Sequence, residues 1–269
     1  MSTPDNFGRL GERPTHPDLL EWLVCRFIDR QWSIKRLHRL IMNSSTYRQS
    51  SRITDSTGDE RDAAAVRRTT DLDNRWYWRF PRWRLEAEAI RDSILAVSGT
   101  LDLTMGGSLL SIGNRLAVTD TRSFEPKLKY AFNRRSVYLP VARNSIYKMF
   151  EIFDFVDPKV VSGRRSATTV APQTLFFLNS PFALGASAAM ANNLLQQDDL
   201  DDAGRVRLAY ELTCARPPDE EELRDAVDYL RGYELAVAAE SDDPQERRRR
   251  AWQSVCQTLF ASNKFVYVD

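Results

Sequence analysis

The chain concentrates its aromatic side chains, prolines and paired arginines in residues 134–182, which read RRSVYLPVARNSIYKMFEIFDFVDPKVVSGRRSATTVAPQTLFFLNSPF. Polar side chains stand between large apolar ones throughout this stretch. A polar group among apolar neighbours must be hydrogen-bonded to another side chain, to the backbone or to a ligand. The stretch therefore holds either a closed polar network that fixes loops to a helical body, or a ligand site.

The second interpretation gives a set of candidate binding residues. Guanidinium, amide and carboxylate groups together are typical of sites for sugar hydroxyls or carboxylates. We expect the site at loop 163–173, where it would face residues 143–144 and the turn at Asp154. The candidates are Arg143, Asn144, Asp154, Asp157, Arg164, Arg165, Thr168, Thr169, Gln173 and Asn179.

Local signals inside the stretch predict alternating strand and helix. Residues 136–141 resemble a short edge strand, because Pro140 lacks a backbone donor. Asn144 is a candidate N-cap for a helix ending near Phe153, and residues 154–158 form a turn. Pro172 suits a first helical turn, and Ser180 followed by Pro181 suits the start of a helix to about residue 196.

Helices are predicted on both sides of the stretch. Towards the N-terminus, Thr15 and Ser33 are candidate N-caps of two helices with a very short connection, which favours a helical hairpin. Residues 85–97 have a helical apolar period that Gly99 ends. Towards the C-terminus, three further helices begin near Asp201, at Asp219 with Glu222, and at Asp243 with Pro244 and Glu246.

These signals predict a mainly α fold: an irregular helical domain with a few short central strands and a C-terminal helical segment. We expect one domain over residues 1–269, with the helices of 198–269 as a subdomain.

Residues 74–84, NRWYWRFPRWR, interleave aromatic side chains with arginines. Such a pattern is able to stack bases or sugars. The interpretation we favour is that the aromatic rings anchor the following helix to the core while the arginines extend outward.

Composition excludes several classes of protein. The formal net charge is +1, from 38 Lys and Arg against 37 Asp and Glu, which argues against nucleic acid or an anionic membrane as a global partner but leaves a local basic patch open. No apolar run is long enough for a transmembrane helix. The cysteines, Cys25, Cys214 and Cys256, are odd in number and far apart, so no disulfide framework is expected.

No cofactor or catalytic set is assigned within this chain. It has no C-x-x-C and therefore no haem-attachment motif. His16 and His38 are weak metal candidates, because two histidines from adjacent helices are able to hold one ion but their spacing does not require it. Neither histidine has an identifiable Ser or Asp triad partner. The pair Asp154 and Asp157 suits either acid–base work or plain turn capping.

Several long blocks resemble the planctomycete-type PSD1 family, domain of unknown function 1553. They appear in family order and cover nearly the whole chain. The blocks are DNFGRLGERPTHPDLLEWL (5–23), LHRLIMNSSTYRQSS (37–51), RLEAEAIRDSILAVSG (84–99), GRRSATTVAPQTLFFLNSPF (163–182), RLAYELTCARPPDEEEL (207–223) and LFASNKFVYVD (259–269).

The resemblance implies a large exported or cell-envelope protein. In this family the domain follows a companion domain of unknown function 1549 and often a cytochrome-c-like module that carries haem. The family's domain usually starts upstream of Asp5 with a basic, aromatic-rich segment, so this chain, which has no signal peptide of its own, resembles the C-terminal part of a longer protein.

The resemblance and the residue types support three expectations. The first is an accessory or binding module that acts on or near polysaccharide beside the cytochrome-c-like module. The second is a redox or carbohydrate-active enzyme whose site the upstream domain completes. The third is a structural interaction module.

Overall fold

The computed structural model describes residues 3, 5–6, 8–51, 66–107, 109, 130–141, 146–239 and 242–268. The chain divides into two compact units. The first unit comprises Met1–Trp83, Val161–Arg164 and Val268–Asp269, and the second comprises Arg84–Val160 and Arg165–Tyr267.

The first unit contains a 3-10 turn at Gly8–Leu10 and two helices, α1 (Pro17–Asp29) and α2 (Ile34–Met42). Residues 66–70 are also helical. The two named helices contact each other, as the predicted hairpin requires.

The ends of these helices follow local chemistry. Ser33 is the N-cap of α2, as predicted, and its hydroxyl accepts from the backbone N–H of Arg36 at 3.4 Å. The predicted cap of α1 is wrong, because His16 occupies that position and the Thr15 hydroxyl is hydrogen-bonded to the His16 ring at 2.9 Å instead.

The second unit is built almost entirely from helices. They are α3 (Ala87–Val97), α4 (Lys148–Ile152), α5 (Ala171–Asn179), α6 (Pro181–Leu195), α7 (Asp202–Cys214), α8 (Glu220–Ala236), α9 (Pro244–Phe260) and α10 (Asn263–Val266). Short 3-10 helices lie at Ser136–Tyr138 and Val237–Ala239.

Local capping chemistry places most of these helix starts where the sequence predicts them. The side chains of Ser180, Asp201, Asp219 and Asp243 each accept a backbone N–H at the start of α6, α7, α8 and α9. Gly99 has φ of +71° just after α3, a left-handed conformation that glycine adopts without strain. The mainly α fold class is therefore confirmed.

The core of the second unit forms where α6 packs against α9. Small side chains on α6, among them Ala183 and Ala191, are fully buried and let α9 approach closely. In return, α9 buries the large rings of Trp252 and Phe260 completely. Each large apolar side chain removed from water in this way contributes about 1.5–3 kcal/mol.

The predicted central strand at residues 136–141 is wrong. Ser136–Tyr138 is a 3-10 helix, and the Asp92 carboxylate accepts both the backbone N–H and the hydroxyl of Ser136, at 2.7 and 2.6 Å. Arg91, which is fully buried, donates to the carbonyls of Phe132 and Arg134. Side chains of α3 thus satisfy backbone groups that a neighbouring strand would otherwise have to satisfy.

In the described part of the chain, the strands are β1 (Trp83–Arg84) and β2 (Tyr267–Val268), which pair with each other. The helix predicted up to Phe153 is also shorter than expected, since α4 begins at Lys148.

Candidate functional site

Asp154 lies at the centre of the polar groups that the sequence predicts as a site. It follows α4 with φ of +58°, in the left-handed region that Asp tolerates better than most residues. Its Oδ2 accepts from Arg84 Nη2 and from the backbone N–H of Thr168, both at 2.8 Å, and its Oδ1 accepts from the Thr168 hydroxyl at 2.9 Å. One carboxylate therefore ties Arg84 and the 165–173 loop to the end of α4.

The charge state of Asp154 follows from these contacts. Burial opposes ionisation, but the hydrogen bonds from Thr168 and Arg84 outweigh it, so the pKa of Asp154 is lowered. The Arg84 side chain is only 4% exposed, and it also donates to the carbonyls of Phe153 and Thr168. Among the residues that the structure describes, its Nε finds no hydrogen-bond partner.

Gln173 closes the other side of the same loop. Its side chain is buried, and its Nε2 donates to the carbonyls of Ile152 and Thr168 at 3.1 and 3.0 Å. Its Oε1 accepts from the backbone N–H of Val170 at 3.4 Å. All the hydrogen-bonding groups of this amide are thus used by the backbone around it.

Arg165 fixes the start of the loop to α3. Its guanidinium forms a two-pronged ion pair with Glu88, at 2.6 and 3.0 Å, and also lies 3.1 Å from Glu86. The hydrogen bonds that Arg165 donates to Glu88 raise the pKa of Arg165. At the far end of the loop, the Thr169 hydroxyl is hydrogen-bonded to the Tyr267 hydroxyl at 2.9 Å.

The structure therefore brings together five of the predicted site residues: Asp154, Arg165, Thr168, Thr169 and Gln173. Each is bonded to another part of the second unit. We call this set, with Arg84 and Glu88, the loop clamp. These contacts fit the first of the two interpretations of the sequence, a polar network that fixes loops to a helical body.

The remaining predicted residues do not join the loop clamp. The Asp157 carboxylate accepts from the backbone N–H of Lys159, at 2.9 Å, in an exposed turn, and Asn179 is exposed at the end of α5. Arg164 belongs to the first unit, where its guanidinium lies 5.9 Å from the centre of the exposed Trp83 ring. Arg143 and Asn144 lie outside the described residues.

The two histidines have different surroundings. The His16 ring stacks on Tyr77 at 5.3 Å and meets the edge of Trp76 at 5.4 Å, whereas His38 is exposed on α2. Among the described residues, no three His, Cys, Asp or Glu side chains lie close enough together to hold a metal ion.

An open apolar cleft lies in the first unit, and sequence reasoning did not find it. Neither α1 nor α2 buries a single residue. Trp22, Leu40 and Tyr47 are 45%, 41% and 43% exposed, although a helical apolar face normally packs against a core. We call this depression the aromatic cleft. Its volume is about 720 Å³, and the residues that line it include Leu19, Trp22, Leu40, Tyr47, Tyr77 and Trp83.

The sequence feature that points to this cleft is the aromatic-rich segment of residues 74–84. Burial of its aromatic rings, the interpretation favoured from the sequence, is wrong for several of them, since Trp76, Tyr77 and Trp83 are 70%, 45% and 52% exposed. Tyr77 and Trp83 line the cleft, whereas the Trp76 ring lies against His16.

Within the described residues, no single helix has both the length and the apolarity to cross a membrane. One bent pair of the described helices, α5 and α6 with 54° between them, reaches that length and apolarity when the two are taken together. Phe177, Met190 and Leu194 on these helices belong to the core of the second unit.

The fold and the two features above define a mainly α-helical protein with a closed polar loop clamp in one unit and, in the other, an aromatic cleft that the described residues leave open. A sequence profile of the PSD1 family, described as a protein of unknown function (DUF1553), matches residues 1–230. The chain therefore belongs to the PSD1 family. No curated protein and no solved structure matches it.

Proposed function

We propose that this chain is an accessory binding module of an exported multidomain protein, and that it docks through the aromatic cleft onto the companion domain of unknown function 1549. The observation that carries this proposal is that α1 and α2 bury none of their residues. Large contiguous apolar surfaces on folded proteins mark contacts with a partner.

Aromatic rings make the cleft suited to a protein partner. Trp and Tyr are enriched where a few buried side chains dominate the free energy of association. Trp22 lines the apolar wall from α1, and Tyr77 and Phe80 line it from the 74–84 segment. A leucine or phenylalanine of the companion domain inserted there would bury these rings.

The test is direct binding of the two domains. The companion domain, taken from a multidomain member of the family, is titrated into this chain by calorimetry. We expect a complex that Leu40→Asp weakens at least about tenfold, because an ionised side chain in an apolar contact is strongly unfavourable.

A matched control is Leu235→Asp, which places the same change on an exposed leucine of α8 in the second unit. Circular dichroism of both variants checks that each is folded. Absence of a complex with the wild-type chain, or equal weakening by both substitutions, would refute the proposal.

Polysaccharide binding is the second candidate function, and the exposed pair of Arg164 and Trp83 favours it. A guanidinium beside an open indole ring offers a flat apolar surface next to hydrogen-bond donors, which suits a sugar ring. A glycan array should then show binding that Arg164→Ala weakens, without loss of thermal stability. No binding to any glycan would reject this candidate.

The alternative of an enzyme completed by the companion domain, whether redox or carbohydrate-active, gains little support from Asp154. Both of its carboxylate oxygens already accept hydrogen bonds within the loop clamp. Turnover that requires this chain as well as the haem-bearing module and the companion domain would support that alternative.

A further inference from the structure

A second groove in the first unit carries a concentration of positive charge. Its volume is about 750 Å³, and it lies along α1 and α2. Arg26 and Arg30 line it from α1 and its C-terminal end, and Arg36 and Arg39 line it from α2. We call these four residues the arginine groove.

The four arginines have no carboxylate partner among the residues that the structure describes. The carboxylates of α1, at Asp18, Glu21 and Asp29, are not part of the groove wall. Arg26 instead lies over the Trp22 ring, 5.2 Å from its centre.

Several arginines of the second unit, in contrast, do have carboxylate partners. In the second unit Arg165, Arg216 and Arg249 are each held by a glutamate at 2.6–2.7 Å. The formal net charge of the whole chain is only +1, so the composition does not reveal these four guanidinium groups, which have no carboxylate partner among the described residues. Such a groove attracts an anionic partner.

The arginine groove is continuous with the aromatic cleft. Both are lined by Trp22, Leu40 and Ser44. A ligand that lies along the two helices would therefore contact the apolar side chains of the aromatic cleft and the guanidinium groups of the arginine groove. Helix α1 has 13 residues and is therefore about 20 Å long, which is close to the length of a short helix laid in a groove.

We infer that the occupant is an acidic amphipathic helix of the companion domain. Its apolar anchors would enter the aromatic cleft at Trp22 and Leu40, and its Asp and Glu side chains would face the four arginines. This inference rests on the proposed docking function and adds the chemistry of the partner. An anionic polysaccharide fits less well, because it has no apolar side chain for the aromatic cleft.

The test uses two synthetic helical peptides with the same leucine face, one with Glu and one with Lys on the flanking positions. Fluorescence anisotropy against the full chain should show the Glu peptide binding at least about tenfold more tightly at low salt, with the difference lost near 0.5 M NaCl because screening weakens exposed charge pairs. The double substitution Arg36→Gln/Arg39→Gln should remove the preference.

A matched control is Arg207→Gln/Arg224→Gln, which neutralises two exposed arginines on α7 and α8. This variant should keep the preference for the Glu peptide. Equal binding of both peptides, no binding of either, or a preference that salt does not change overturns the inference. So does tight binding of polygalacturonate in place of the Glu peptide.

Failure of this inference is distinguishable from failure of the proposed function. If the companion domain binds in a manner sensitive to Leu40→Asp but not to Arg36→Gln/Arg39→Gln, docking stands and the acidic partner is rejected. If the companion domain does not bind at all, the docking proposal itself fails.

Discussion

Replacing Asp154 by Asn tests whether the loop clamp holds the second unit together. The substitution keeps the size of the side chain and the tolerance for positive φ, and it replaces the negative charge and one acceptor oxygen by a neutral NH2 donor. Asp154 accepts three hydrogen bonds, from Arg84 and from the amide and hydroxyl of Thr168. Asn leaves the buried Arg84 guanidinium without a counter-charge.

The expected magnitude follows from those contacts. Breaking a buried pair by removing one partner costs about 3–5 kcal/mol. Arg84 keeps its bonds to the carbonyls of Phe153 and Thr168, so we expect a smaller loss, about 2–3 kcal/mol in the free energy of unfolding. For a unit of this size, that corresponds to a fall in Tm of about 4–12 °C.

The assay is thermal and urea unfolding followed by circular dichroism, with Asp157→Asn as the control. Asp157 lies three residues away in the same turn region and is exposed, and its carboxylate accepts from the backbone N–H of Lys159. Its substitution should change the free energy of unfolding by less than about 0.5 kcal/mol. Similar losses for the two variants would show that the loop clamp does not stabilise the unit.

The same substitution has a predicted pH dependence. Because the pKa of Asp154 is lowered in the folded chain, its stabilisation is complete above the unfolded value of about 4 and is lost as pH falls through the folded value. The difference in stability between wild type and Asp154→Asn should therefore shrink on going from pH 7 to pH 3. A constant difference over that range contradicts the assignment of the charge.

Two further predictions concern the second unit. Hydrogen bonds from Arg216 and Lys264 lower the pKa of Glu222 from 4.5 to about 2. Glu222→Gln should therefore reduce the free energy of unfolding by about 1–2 kcal/mol at pH 7, and by progressively less between pH 4.5 and 2. Urea unfolding across this pH range measures the loss, and a loss that grows in acid contradicts the prediction. Gly99→Ala should lower the free energy of unfolding by about 1–2 kcal/mol, because φ is +71° and the new Cβ would lie 2.6 Å from Asn193 Nδ2. The matched substitution Gly232→Ala, in open space on α8, should raise it by about 0.5–1 kcal/mol. Equal shifts in Tm for the two variants refute this explanation.

Helix starts were the most predictable part of the fold. The cap residues Ser33, Ser180, Asp201, Asp219 and Asp243 all accept backbone donors only two or three residues ahead, so the information needed to place them is local. The cap at Thr15 failed because the neighbouring His16 ring binds the same hydroxyl.

The predicted strand failed for a reason that lies far along the chain. Arg91 and Asp92 on α3 bind the backbone near Ser136, more than forty positions away, and replace the hydrogen bonds of a sheet. The same holds for the loop clamp, since the partners Arg84 and Glu88 precede Thr168 and Arg165 by 84 and 77 positions.

The sequence by itself determined the mainly α class, the family and the need for the polar groups of residues 134–182 to be partnered. Only the tertiary structure decided that the partners of the loop-clamp residues are internal, and that the apolar faces of α1 and α2 line an open cleft in the described first unit. The physical reason is that helical periodicity specifies which side of a helix is apolar, whereas burial depends on which other surface packs against it.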